Sequence, residues 1–138
     1  MKITRFEDLE CWQAARVLVN MVYEAVKSNS HFQRDFRLNG QITGAGVSSM
    51  SNIAEGFSRR SNKEFIQFLF ISKSSVTEVQ SEAYVALDQK YISQQTFKKI
   101  YNQAEEVSKL DSGLITYLLQ NQKQHKKLSK SQKHNESD

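Results

Sequence analysis

Hydrophobic residues recur at steps of three and four through four stretches of this chain, and in none do they alternate with period two for long enough to make a strand. The first stretch runs from about Asp8 to Ser28, with Leu9, Trp12, Ala15, Val19, Val22 and Val26 on one stripe. Asp8 is placed to cap it, and Ser28-Asn29-Ser30 to stop it. The second runs from about Phe36 to Glu55 on Leu38, Ile42, Ala45, Ser49 and Ile53. It carries Gly40, Gly44 and Gly46, each costing up to ~1 kcal/mol against alanine inside a helix. Tertiary packing must therefore hold it, and its small residues predict a close neighbouring backbone. Gly56 is expected to end it. The third opens with a capping box, Ser61 three residues before Glu64. Phe65, Leu69, Ser72, Val76, Val79, Ala83 and Leu87 then form its stripe to about Asp88. The fourth runs from Ser93 to about Gln120 on Phe97, Ile100, Ala104, Val107, Leu110, Leu114 and Leu118, with Tyr101, Ile115 and Tyr117 beside them.

Four such helices joined by short loops predict an all-α fold, an antiparallel up-and-down four-helix bundle spanning residues 1–120. Aromatic residues on the third helix (Phe65, Phe68, Phe70, Tyr84) exceed what one seam needs, which predicts that some face another subunit.

Composition sharpens this. The chain has 138 residues, no proline and a single cysteine, Cys11. The absence of proline suits long helices. One cysteine excludes an internal disulfide framework and any multi-cysteine metal site. No apolar run approaches the ~20 residues that span a bilayer, and Met1 to Asp8 lacks the apolar core of a signal peptide, so a cytoplasmic protein with no membrane association is expected. The net charge of +4 is uneven. Residues 1–120 carry 14 cations against 13 carboxylates, whereas 121–138 carry five lysines against Glu136 and Asp138. The segment 121–138 has one large apolar residue, Leu128, and reads as a disordered basic tail.

Catalytic and cofactor chemistry finds no support. His31, His125 and His134 form no metal-ligand spacing, and the chain has no nucleophile elbow, phosphate-binding loop or dinucleotide fingerprint. Glu105 and Glu106 occupy adjacent helical positions and cannot face one substrate. No enzyme activity and no cofactor are expected.

Two features carry candidate function. Arg59, Arg60 and Lys63 crowd the loop before the third helix, where the helix start adds free N–H groups and partial positive charge. Such a cluster suits phosphates of RNA or DNA, with Phe57 available for a base. The alternative is a solvated loop. Asn52 and Glu55 share a helical face and are expected to act structurally, Glu55 toward Arg59, Arg60 or the third helix start, and Asn52 toward a loop carbonyl. Arg34 and Arg37, around Asp35, read as ordinary solvated charges, and Trp12 as core. Cys11 reads as a small, partly buried residue.

Phe6 to Ala15 (FEDLECWQAA) resembles the opening of the bacterial four-helix-bundle proteins encoded in 23S rRNA intervening sequences. Ser51 to Arg60 resembles that family's signature, centred on Asn52-Ile53-Ala54-Glu55-Gly56, and Glu64 to Leu69, Ser74-Ser75, Glu78 and Tyr91-Ile92 continue the likeness over roughly residues 6–119. The resemblance implies a ring-shaped homo-oligomer, typically a homopentamer, without enzyme activity. A related branch, the accessory protein of diversity-generating retroelements, works with a reverse transcriptase and nucleic acid. The chain departs from the pattern where relatives carry an Arg-Arg pair: it reads Gln41-Ile42-Thr43-Gly44-Ala45-Gly46. Met50 stands where a proline is common. The resemblance thus leaves two functions: an oligomeric accessory protein contacting nucleic acid or a nucleoprotein partner, or a protein-interaction scaffold that binds no nucleic acid.

Overall fold

The computed structural model describes the backbone of residues 2–136 and the side chains of residues 2–121. It is all-α, with a short 3-10 turn at Phe6–Asp8 followed by α1 (Glu10–Lys27), α2 (Ser30–Arg34), α3 (Phe36–Phe57), α4 (Asn62–Asp88) and α5 (Gln94–Glu136). No strand occurs among the described residues. The four long helices form a bundle. Helix α1 packs on α3 and α5, α4 packs on α3 and α5, and the α3–α4 contact is the most extensive.

Local chemistry sets the ends. Ser61 Oγ accepts from the Glu64 N–H at 3.2 Å and starts α4 as its spacing predicts. Asp8 does not cap α1; it belongs to the 3-10 turn, and Leu9 is the N-cap residue without a side-chain bond. Burial of Leu9, at 2% exposure, outweighs the missing cap. Helix α2 is an addition. Ser28 ends α1, and Asn29 starts a new turn by accepting from the Phe32 N–H at 2.9 Å. Phe32 is thereby driven into the core, stacked on Tyr91 with ring centroids 5.2 Å apart. Asp35 then caps α3 by accepting from the Leu38 N–H, while its other oxygen accepts from Tyr91 O–H at 3.0 Å.

The stripes of α3 and α4 are buried as their spacing predicts, apart from the half-buried Leu87. Those of α1 and α5 are buried in part. On α1, Leu9, Ala15, Val22 and Val26 are buried as expected and Cys11, Leu18 and Ala25 join them, whereas Val19 and Trp12 are only half-buried, Trp12 edge-on to Phe6. On α5 the core positions after Val107 are Asp111, Ile115 and Leu118, with Leu110 and Leu114 half-buried. The reason is the 3.6-residue period, which carries the stripe from Val107 to Asp111 despite that residue's polarity.

Gly56 does not terminate α3. The helix continues to Phe57, and no glycine has positive φ. Its role is close approach: a Cβ there would stand 2.8 Å from both Phe65 Cδ1 and Phe68 Cβ. Gly40, Gly44 and Gly113 have nothing within 4 Å, so the tight contact expected of the glycine-rich helix sits at Gly56 and, more loosely, at Gly46 against Val19. The tail expected over 121–138 falls outside the described side chains apart from Asn121, while the backbone of α5 is helical through Glu136.

Candidate functional site

The corner between α3 and α4 holds Ser58, Arg59, Arg60 and Ser61. Arg59, Arg60 and Lys63 are all exposed, and among the described residues none has a carboxylate within salt-bridge distance. The only ion pair among the described residues joins Arg5 to Glu7. The three cations therefore form an uncompensated cluster at the positive end of a 27-residue helix, where the Asn62 and Lys63 amides have no acceptor within the helix. The Arg59 guanidinium lies over the Phe68 ring, 4.8 Å from its centroid, a contact worth about 0.5–1 kcal/mol at an exposed site. It draws Arg59 toward the α4 side of the corner. Phe57 is half-buried and meets Phe65 edge-on, centroids 6.1 Å apart, so much of its ring is committed to packing.

The two polar signature residues act inside α3. The Asn52 side-chain amide donates to the Ser48 carbonyl at 2.7 Å and to Ser48 Oγ at 3.0 Å, rather than to a loop carbonyl. Ser48 in turn meets Ser75 Oγ of α4 at 3.1 Å. Glu55 is exposed and makes no ion pair with Arg59 or Arg60; its backbone carbonyl accepts from Ser58 Oγ at 2.7 Å. Gly56 supplies the space for Phe65 and Phe68. Asn52 and Gly56 thus fasten α3 to α4 and position the corner, while Glu55 leaves its charge in solvent.

A second polar group lies inside the bundle. Asp111 is fully buried; its Oδ2 accepts from Ser72 Oγ at 2.7 Å, and Ser72 meets Ser49 Oγ at 2.9 Å. The Cys11 thiol lies against the same carboxyl, so α1, α3, α4 and α5 all contribute. Asp111 Oδ1 has no partner among the described residues. Burial pushes the Asp111 carboxyl up to about 7, although Ser72, Cys11 and the Lys73 charge favour ionisation. The same burial, with Asp111 beside it, pushes the Cys11 thiol up to about 12, so it is a packed thiol without activation. The sequence carried part of the signal for this group: Ser49 and Ser72 interrupt the apolar stripes of α3 and α4, whereas Asp111 lies off the stripe that the spacing of α5 predicts. No group of three or more metal-ligating side chains occurs among the described residues.

A family model described as 23S rRNA-intervening sequence protein matches residues 7–113. The chain belongs to that family. A crystal structure from Bacteroides thetaiotaomicron, described as a protein with unknown function from the S23 ribosomal protein family, is similar in fold. It is 26% identical, with a TM-score of 0.64, and the match covers 76% of this chain and 94% of that one. No curated protein matches the chain. The intervening-sequence family match spans the capping of α4, the Asn52–Gly56 signature and Asp111, and stops before the lysine-rich segment. No helix among the described residues is long and apolar enough to cross a membrane.

Proposed function

We propose that this chain is a non-catalytic, oligomeric accessory protein whose α3–α4 corner contacts the phosphates of RNA or DNA, alone or with a nucleoprotein partner such as a reverse transcriptase. The observation that carries this reading is the cluster of Arg59, Arg60 and Lys63, exposed at the start of α4 and without an ion-pair partner among the described residues. Two arginines offer bidentate donors, and phosphate contacts need no base readout. Phe57 supports the corner from beneath.

Helix registers support an antiparallel up-and-down protomer. Along α4 and α5, Tyr84 meets Phe97, Gln80 meets Tyr101, and Ser72 meets Asp111. Along α1 and α5, Cys11 meets Asp111 while Gln103 reaches the Ala14 carbonyl. These registers bring Asn121 level with the first turn of α4, so the five lysines that follow it in sequence leave from the end that carries the corner. A homo-oligomeric ring, a pentamer by resemblance, is supported by four exposed apolar residues on α4: Phe70, Ile71, Tyr84 and Val85. They form two exposed apolar pairs about 20 Å apart along α4, with polar residues between them, which a second copy lying along the helix would cover. Changing Ile71→Glu together with Val85→Glu is expected to turn the assembly into monomers by sedimentation velocity; an unchanged mass would remove this face from the interface.

A scaffold that binds only protein is the second reading. The observation favouring it is the stretch Thr43-Gly44, where α3 exposes a glycine and no cation. A salt titration of RNA and DNA binding separates the two. The Arg59→Ala/Arg60→Ala variant is expected to bind more weakly and to lose about one from the log–log salt slope per phosphate contact removed. A slope unchanged from wild type, or binding that disappears only on removal of 121–138, would leave the scaffold reading.

A further inference from the structure

The most exposed large hydrophobic side chain among the described residues is neither on α4 nor at the α3–α4 corner. It is Phe36, 81% exposed, the first residue of α3. Arg34 closes α2 and Arg37 follows Phe36 on α3, so two exposed arginines lie within two residues of the ring in the chain. The intervening carboxylate is engaged elsewhere: Asp35 accepts from the Leu38 N–H through Oδ1 and from Tyr91 O–H through Oδ2, and it forms no ion pair with either arginine.

The mounting is firm. Asn29 caps α2, Phe32 is buried and stacked on Tyr91, and Gln33 Nε2 donates to the Lys27 carbonyl at 2.7 Å. The same contacts bring the end of α1 and the α4–α5 loop to this corner, adding Lys27 and Lys90 as exposed cations, with Asp88 as the nearby acid of that loop. The chain neighbours of Phe36 that remain exposed are His31, Gln33, Arg34 and Arg37, which are polar or cationic.

An exposed aromatic ring on a firmly held corner, with arginines next to it in the chain, matches one ligand chemistry closely. A base stacks on the ring, and the phosphates on either side meet the guanidinium groups. Duplex DNA keeps its bases in the stack and offers no free face, so the preference falls on single strands. We propose that Phe36, with Arg34 and Arg37, forms a base-stacking site for single-stranded nucleic acid, distinct from the Arg59–Lys63 corner and at the other end of α3. It adds a stacking contact that Phe57 is poorly placed to make, and it does not depend on the reading of the α3–α4 corner.

The test is fluorescence anisotropy with the full chain and three labelled probes: a 20-nucleotide oligo(dT), a 20-nucleotide oligo(U) and a 20-base-pair DNA duplex. Phe36→Ala is expected to weaken single-strand binding about 5- to 100-fold, the range for one stacked base, with less than about a twofold change on the duplex. Phe36→Trp restores the affinity and Phe36→Leu does not, because stacking needs a π face and a merely apolar contact does not. Arg34→Ala/Arg37→Ala lowers the salt slope on single strands. Because Phe36 is so exposed, these variants keep the fold, checked by circular dichroism and Tm. No single-strand binding by wild type, wild-type affinity in Phe36→Ala, or rescue by Phe36→Leu overturns the proposal. A changed sedimentation mass in Phe36→Ala with unaltered affinity also overturns it and assigns the ring to a protein contact. If Arg59→Ala/Arg60→Ala abolishes binding while Phe36→Ala is normal, this proposal falls and the corner reading stands; the converse result leaves this site standing alone.

Discussion

Asp111→Asn is expected to flatten a fall in stability that is itself expected of the wild-type protein as pH rises from about 4 to about 7. Asp111 is fully buried, and burial raises its carboxyl from an ordinary 3.8 to about 7 in the fold. Below about pH 4 the group is protonated both folded and unfolded, and it adds no pH dependence. Between about 4 and 7 the unfolded chain releases the proton while the folded chain keeps it, so the unfolded state gains and stability falls with rising pH. Above about 7 both states are ionised and the loss is complete. A displacement of that size corresponds to something on the order of 4 kcal/mol. For a chain of 138 residues this is a difference in Tm of roughly 14 °C between the ends of the window. Asparagine keeps the shape and an acceptor for Ser72 without the charge, so its curve across the window should be flatter. Glu82, pushed up to about 7 by burial and by Glu78, contributes with the same sign and remains in the variant, which is why the difference between the two proteins is the informative quantity. Thermal melts at intervals of half a pH unit from 4 to 8 measure it. Parallel curves would show that Asp111 does not change its charge within the fold over this range.

Gly56→Ala is expected to destabilise the protein by about 1–3 kcal/mol, the usual cost of overpacking. The new methyl would stand 2.8 Å from Phe68 Cβ and from Phe65 Cδ1. Phe68 Cβ is bonded directly to the α4 backbone, and Phe65 is a buried ring, so neither can move aside without separating α3 from α4. The ordinary gain of alanine over glycine in a helix, up to about 1 kcal/mol, works against this cost but does not cancel it. Gly40→Ala and Gly113→Ala give the contrast, since nothing lies within 4 Å of the added methyl and the propensity gain stands alone. Urea unfolding should rank Gly56→Ala below wild type and the other two above it. Equal behaviour of all three would show that the α3–α4 spacing is not set at Gly56. Because Gly56 holds the corner, its substitution should also disturb Arg59 and Arg60 more than either control does.

The four long helices were legible because each carries a stripe of apolar residues at helical spacing, and burying that stripe is the main force on it. The buried sets of α3 and α4 follow directly from Leu38 to Ile53 and from Phe65 to Ala83. Ser61 caps α4 because a serine three residues ahead of a glutamate at the edge of a stripe is a local signal, satisfied by local bonds. The cations at residues 59, 60 and 63 were visible for the same reason, and their exposure followed from a loop position.

What depended on neighbours was not legible. The faces of α1 and α5 follow the simple reading only in part: Cys11 and Asp111 join the core, and Trp12 and Leu110 sit at its edge, because of what α3 and α4 place opposite them. Asp111 reads as a surface residue on its own helix; only Ser72, Ser49 and Cys11 from three other helices make it a core residue. Gly56 looks like a helix stop until α4 is brought beside it. Phe36 marks only the start of a helix in the sequence; the packing gives the core to Phe32 and Leu38 and leaves it outside. The sequence by itself determined the four long helices, the Ser61 cap and the sites of positive charge, since these rest on interactions within a few residues. The tertiary structure alone decided which polar groups are buried, which glycine is indispensable and which aromatic ring faces water, since those depend on the distance between helices, and that distance is set by all of them together.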